Sequence, residues 1–237
     1  MKGIDLDFPP SDLADLALQR TAALISLGGG DALVRWFASG DKTALMSFLA
    51  PTAVARAFTS AVSEELAREV ELLGRHVDFS AIRTLASIGP GLCIFELLLY
   101  QRQRCRLYLI DIERSDEHQH GFNQQGSGYS NNTTARVFLE RNGVAKADIA
   151  FCNPRVETLN DEHVDAILSN ISMGFHYPVT EYVPYIERAL QVNGVLIFDK
   201  RKGVPDSGWD ALQPKFNARA ILDFQKYQKL ICERRIR

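Results

Sequence analysis

The chain has 237 residues, of which 46% are hydrophobic and 24% charged, a make-up that can bury a core and excludes a disordered or fibrous polymer. Lys plus Arg total 27 against 29 for Asp plus Glu, so the net charge of -2 gives no bulk attraction to nucleic acid or to an anionic membrane, and neither is expected as a partner. No apolar run reaches the roughly 18–20 residues of a membrane span, and residues 1–10 lack the basic and apolar regions of a signal peptide.

Residues 11–27, 30–39 and 41–50 read as short helices, broken by Gly28-Gly29-Gly30, Gly40 and Pro51, with Asp31 and Asp41 placed as N-caps. Val54, Phe58, Val62, Leu66 and Val70 recur at every fourth position and predict a longer amphipathic helix. Residues 1–78 are therefore expected to form an all-helical cap. The glycine run is preceded by no strand and followed by no Gly-Lys-Ser/Thr, so it reads as a helix connection rather than a phosphate loop. From residue 79 to residue 237, short β-rich runs alternate with helical segments, the pattern of an α/β domain with a mostly parallel sheet. Strands are expected at 82–88, 107–112, 148–151, 164–169 and 195–198, and helices near 92–103, 131–142 and 179–191. Two further strand-like runs, 220–224 and 230–233, predict a hairpin at the sheet edge. The polar stretch 114–130 is long and unpatterned, which marks it as a functional loop. Cys93, Cys105, Cys152 and Cys232 are widely spaced without a C-x-x-C pair, so reduced thiols in a cytoplasmic protein are expected, not a zinc ribbon or a disulfide framework.

The strongest local pattern is the strand at 85–88 running into Gly89-Pro90-Gly91 and then a helix. Glycine lets the backbone turn sharply and come close to a ligand, and free amides at a helix start favour a negative group. Asp111 ends the next apolar strand, just before Ile112, and lies 20 positions after Gly91. That is the interval at which an acid in such folds meets ribose hydroxyls. A dinucleotide fingerprint would place a third glycine where Ile94 stands, which makes an NAD-dependent oxidoreductase the second choice.

These parts resemble class I S-adenosylmethionine-dependent methyltransferases, whose strand and loop usually read acid-x-Gly-x-Gly-x-Gly. The corresponding stretch is Ser87-Ile88-Gly89-Pro90-Gly91-Leu92-Cys93, with Ser87 at the acid and Cys93 at the third glycine. The resemblance covers roughly residues 80–235. Residues 164–170 look like the family's fourth strand and its active-site end. Residues 187–197, with Asn193-Gly194, look like a helix, the turn at its C-terminus and the fifth strand. The resemblance implies a Rossmann-like methyltransferase fold: a mostly parallel seven-stranded sheet with helices on both faces, here with an all-helical N-terminal extension. It also implies S-adenosylmethionine as cofactor. Ser87, Gly89, Pro90, Gly91, Asp111 and Ile112 would bind it, Asp111 through the ribose; Asn153 would line its adenine side, and Asn170 would face the methyl donor.

Methyl transfer from a sulfonium needs alignment and, for a hydroxyl acceptor, a base. His176 follows the fourth strand at the expected pocket mouth and is the first candidate, with packing between Phe175 and Tyr177 as an equally open reading. In the 114–130 loop, Tyr129 and Phe122 suit a lid, and Tyr129 is the second catalytic candidate. Asp116, Glu117, His118 and His120 share that loop, but no third ligand is fixed by the sequence and no metal is expected. Adenine- and amide-directed members of the family usually carry an Asn/Asp-Pro-Pro-aromatic run where this chain has Asn170-Ile171-Ser172-Met173. The reading is therefore methyl transfer to a small polar acceptor through a hydroxyl oxygen, the polar loop being similar to that of enzymes acting on bacterial sugars. A catalytically silent methyltransferase-like binding module is the third reading. The N-terminal helices would cap the pocket or join two copies in a homodimer.

Overall fold

The computed structural model describes residues 4–112, 131–160, 162–175, 178–203, 209–224 and 226–235. Five helices precede the sheet: α1 (Pro10–Gln19), α2 (Thr21–Ser26), α3 (Gly30–Ser39), α4 (Thr43–Leu49) and α5 (Thr52–Leu73). The single helix expected at 11–27 is two, because Arg20 leaves helical geometry (φ -127°, ψ 54°) while its amide still bonds Leu16. Asp31 is not a cap: α3 starts at Gly30, and Asp31 lies in its first turn. Asp41 is not the N-cap either, since Lys42 holds that position in α4, but from one residue earlier its carboxylate accepts both the amide (2.9 Å) and the hydroxyl (2.7 Å) of Thr43. Pro51 opens α5, and the chain bends by 96° between α4 and α5. The fourfold repeat of α5 is its buried stripe, with Phe58, Val62, Leu66 and Val70 turned into the core and Val54 at its edge.

The strands are β1 (Thr84–Ile88), β2 (Arg106–Ile110), β3 (Ile149–Cys152), β4 (Val164–Ser169), β5 (Leu190–Arg201), β6 (Phe216–Asp223) and β7 (Tyr227–Arg234). They form one seven-stranded sheet in the order β3-β2-β1-β4-β5-β7-β6. The first five run parallel, and β7 lies antiparallel between β5 and β6. Between the parallel strands come α6 (Ile94–Arg102), α7 (Asn132–Arg141) and α8 (Val179–Ala189), and a short α9 (Trp209–Leu212) precedes β6. The Asn193-Gly194 turn does not end a helix. α8 stops at Ala189, and the turn lies in a bulge inside β5, where Val164 pairs with Leu190 but Ala166 pairs with Val195. Gly194 packs there against Asp165 and Leu190 with no room for a side chain.

Side chains alternate between two apolar layers. Leu85, Leu107, Leu109, Ala166, Leu168, Ile197 and Ile231 pack with α1 to α7 in one continuous cluster. Ala86, Ile88, Ile110, Ile167, Leu196, Phe198 and Leu230 pack with α8 and α9 on the other face. The N-terminal helices thus seal one side of the sheet. The chain winds outward from β1 to β3 and then returns to the far side of β1 with β4, so the sheet has its topological switch point between β1 and β4. Among the described residues no single helix is long and apolar enough to cross a membrane.

Candidate functional site

The switch point opens at the glycine turn after β1. Gly89, Gly91 and Cys93 all have left-handed backbone, with φ of 66°, 61° and 62°. A Cβ on Gly89 would stand 1.9 Å from Ser172 Oγ, and one on Gly91 would stand 2.5 Å from Gln19 Oε1. The close approach that these glycines permit is therefore made by protein: Ser172 from the exit of β4 and Gln19 from the end of α1. Pro90 is the partly exposed apex between them. Cys93 keeps the backbone geometry of a glycine at a cost of about 1–2 kcal/mol, and its buried thiol is pushed well up by burial and by Glu96 and Asp111. Ile94 starts α6 with its side chain in the core, so the position that would lie bare beneath a pyrophosphate is filled.

The tip of β2 closes onto this turn. Asp111 is 7% exposed, and its Oδ2 accepts the Gly91 amide at 3.2 Å. The Asp111 amide bonds the Cys152 carbonyl at the end of β3. Ile112 is buried; its carbonyl accepts Asn153 Nδ2 at 3.3 Å, and Asn153 Oδ1 accepts the Arg155 amide at 3.0 Å. Asn153 thus ties the exits of β2 and β3 together.

Ser87 is buried, and its hydroxyl donates to Glu96 Oε1 at 2.6 Å. Glu96 comes from the first turn of α6 and is 2% exposed. Burial raises its carboxyl to about 7, against the pull of the Ser87 hydrogen bond and of Arg20. Its second oxygen, Oε2, is buried with no hydrogen-bond partner among the described residues.

Across the crevice, Ser169 Oγ at the end of β4 donates to the Ile88 carbonyl (3.0 Å) and accepts the Met173 amide (2.9 Å), stapling the turn to β1. Within that turn Ile171 has φ 48°, a strained state for a β-branched residue, and its amide bonds Asp199 Oδ2 at 3.0 Å. Lys229, on β7, is completely buried. Its Nζ lies 2.7 Å from Asn170 Oδ1 and 2.8 Å from a carboxylate oxygen of each of Asp199 and Glu69. Burial, the largest influence, lowers the Lys229 pKa, but the two carboxylates outweigh it and raise the group above its ordinary value.

Gly89, Pro90, Gly91, Asp111, Ile112, Asn153 and Asn170 therefore lie just past the C-terminal ends of β1, β2, β3 and β4, on the two sides of the switch point, with Ser87 inside β1. His176 and Tyr129 lie outside the described residues, as do Asp116, Glu117, His118 and His120. Among the described residues no group of three potential ligands could hold a metal ion. Glu69, Glu96, Ser172, Asp199 and Lys229 were not anticipated. The one sequence signal available was Lys229 itself, which shares an alternating face with the apolar Ile231.

The strand order, the antiparallel β7 between β5 and β6, and a glycine turn at the switch point define the Rossmann-like methyltransferase fold. No family model matches the sequence, and a search of curated proteins finds no match. Solved structures do share the fold. StiE O-MT residues 961–1257 superpose with a TM-score of 0.54 at 15% identity, over 78% of each chain. The N,N-8-amino-8-demethyl-D-riboflavin dimethyltransferase RosA from Streptomyces davawensis gives 0.51 at 14% identity, over 90% of this chain and 70% of that one. An O-methyltransferase family protein from Burkholderia thailandensis gives 0.50 at 13% identity, over 80% of this chain but only 62% of its own length. At these identities the likeness is one of fold.

Proposed function

We propose that the chain is a cytoplasmic S-adenosylmethionine-dependent methyltransferase that acts on a small polar acceptor at a hydroxyl oxygen. The observation that carries this reading is Asp111, buried at the tip of β2 and 3.2 Å from the amide of Gly91 in the glycine turn. The donor set suits the adenosyl cofactor. The Asp111 carboxylate can accept both ribose hydroxyls. Among the described residues, the Oε2 of Glu96 is a buried acceptor lacking a donor, and the Nδ2 of Asn170 a buried donor lacking an acceptor, which suits a ligand carrying both an ammonium and a carboxylate. Ser87 serves that end through Glu96, while Gly89, Pro90 and Gly91 shape the floor, and Ile112 and Asn153 form the adenine side.

When bound, the cofactor supplies an electrophilic methyl carbon on a sulfonium. The protein's part is to hold the acceptor oxygen in line with that carbon, keep water out and take the proton. His176 is the proposed base and Tyr129 the proposed lid residue over the acceptor. Four free, buried cysteines suit a reducing compartment. We further propose that two copies pair through the N-terminal helices, where Ile25, Val34 and Phe37 are exposed, and that neither nucleic acid nor membrane is a partner.

Calorimetry with S-adenosylmethionine and with NAD tests the core of this reading, and only the first is expected to bind. Asp111→Ala should weaken that binding by about 1–3 kcal/mol, because a charged acceptor is lost. Unchanged affinity in a folded variant would remove Asp111 from the site.

A further inference from the structure

We infer that Lys229, with Asp199 and Glu69, is a positioning device that sets the strained exit of β4 and fixes which end of the Asn170 amide faces the ligand. The inference rests on the proposed adenosyl cofactor and assigns a role to three residues that bind no part of it.

Three observations converge. First, a side-chain amide is nearly symmetric in shape, so only its neighbours decide where oxygen and nitrogen go. Lys229 has donors and no acceptor; its Nζ, 2.7 Å from Asn170 Oδ1, turns the oxygen inward and leaves Nδ2 as the outward group. That Nδ2 is buried and has no partner among the described residues. Second, the next residue, Ile171, stands at φ 48° with its amide held by Asp199 Oδ2, and the one after it, Ser172, also has a buried hydroxyl without a partner among the described residues. Ser172 Oγ lies directly over Gly89, so both orphaned groups belong to a turn pressed against the glycine loop. Backbone strain and unsatisfied polar atoms persist where surrounding structure enforces them, and they gather at sites completed by a ligand. Third, the enforcing group is more than filler. Buried ion pairs are commonly replaceable by apolar side chains without loss of stability, so three charged groups brought together from α5, β5 and β7 gain little as packing alone. What they supply is orientation: one cation in contact with the Asn170 oxygen, one carboxylate in contact with the Ile171 amide, and Glu69 linking both to the N-terminal cap.

The test is a double-mutant cycle read by calorimetric binding of S-adenosylmethionine and S-adenosylhomocysteine. The neutral variant Glu69→Gln/Asp199→Asn/Lys229→Met removes the cluster without stranding a charge. It should unfold at nearly the wild-type temperature yet bind about 10-fold more weakly, a loss matching Asn170→Ala. Adding Asn170→Ala to the neutral variant should change little more, because both act through the same amide. Losses that multiply, or wild-type affinity in the neutral variant, would overturn the inference while leaving the cofactor assignment intact. Absence of binding by the wild-type protein would instead sink the cofactor assignment and this role with it. If the neutral variant does not fold, Asn170→Asp carries the test. It keeps an oxygen for Lys229 but turns the outward donor into an acceptor, so about a 10-fold weaker affinity is expected and unchanged affinity refutes the role.

Discussion

Glu96, beneath the glycine loop, and Asp199, beyond the exit of β4, are carboxylates withdrawn from water on the same face of one sheet, but they are held differently. Asp199 has the ammonium of Lys229 at 2.8 Å, and Glu69 shares that cation. Among the described residues, Glu96 has the neutral hydroxyl of Ser87 and its own backbone amide as hydrogen-bond partners, while Arg20 acts on it from a greater distance and lies 3.9 Å from Glu65. On the β4 side, burial also raises the Asp199 carboxyl, but there the ammonium of Lys229 opposes it in direct contact and the Ile171 amide holds the second oxygen. On the β1 side, burial is not offset by a contacting cation, and the carboxyl is left with a proton it can exchange near neutral pH. One wall of the crevice is thus a rigid template, and the other is an acid whose charge depends on what it meets.

The comparison is broken most severely by Lys229→Met. Two carboxylates would remain buried without their cation, and loss of one member of such a cluster costs about 3–5 kcal/mol. Urea unfolding should register that loss, and adding Glu69→Gln and Asp199→Asn should recover most of it. If Lys229→Met alone leaves stability unchanged, the cluster is not holding charge against charge.

Glu96 gives the next largest effect. Its carboxyl sits at about 7 in the folded protein against an ordinary 4.5, so the folded state holds a proton that the unfolded chain has released. Folding is therefore favoured below the ordinary value and loses stability as pH rises from about 4.5 to about 7, by a few kcal/mol in all, after which the contribution levels off. Besides burial, the groups acting on it are the Ser87 hydroxyl, its own backbone amide and Arg20 from the α1–α2 junction, which lower it, and Asp111 beside the loop, which raises it. Glu96→Gln mimics the protonated form and should flatten that part of the stability profile. A profile identical to wild type would mean that Glu96 ionises freely. A bound ammonium would act in the opposite direction and draw the carboxyl down, so ligand should shift the same pH window to lower values.

Much of the template was legible, because strands buried on both faces announce themselves as short apolar runs. The runs at 107–110 and 164–169 did so, and Asp111 could be read as an acid at a strand tip because its spacing from Gly91 is set by one helix and one strand. The fourfold stripe on α5 was equally plain. The break at Arg20 and the bulge in β5 were not, since each depends on packing partners and not on local preference. Glu96 was hidden for a related reason: it stands among apolar neighbours on a helix buried nearly all round, where one acid looks like an exposed position. The Lys229 cluster gathers Glu69, Asn170 and Asp199 from segments far apart in the chain, and only the completed sheet brings them together. His176 and Tyr129, chosen from sequence for their chemistry, lie outside the described residues and remain proposals.

Ser87→Ala sharpens the contrast with the smallest change. Ser87 Oγ is the one hydroxyl in contact with Glu96, and its hydrogen bond favours the ionised carboxylate. Removing it should raise the Glu96 carboxyl further. The variant should lose about 1–2 kcal/mol above pH 7, where a charged acceptor is left without its donor, and less than about 1 kcal/mol near pH 4, where the carboxyl is protonated. Combining it with Glu96→Gln should erase that pH dependence, because the amide carries no charge to strand. Equal losses at both pH values would show that the hydroxyl serves only as packing. The protonation of Glu96 would then be set by burial, Arg20, Asp111 and its own backbone amide, and Ser87 would have no electrostatic part in it.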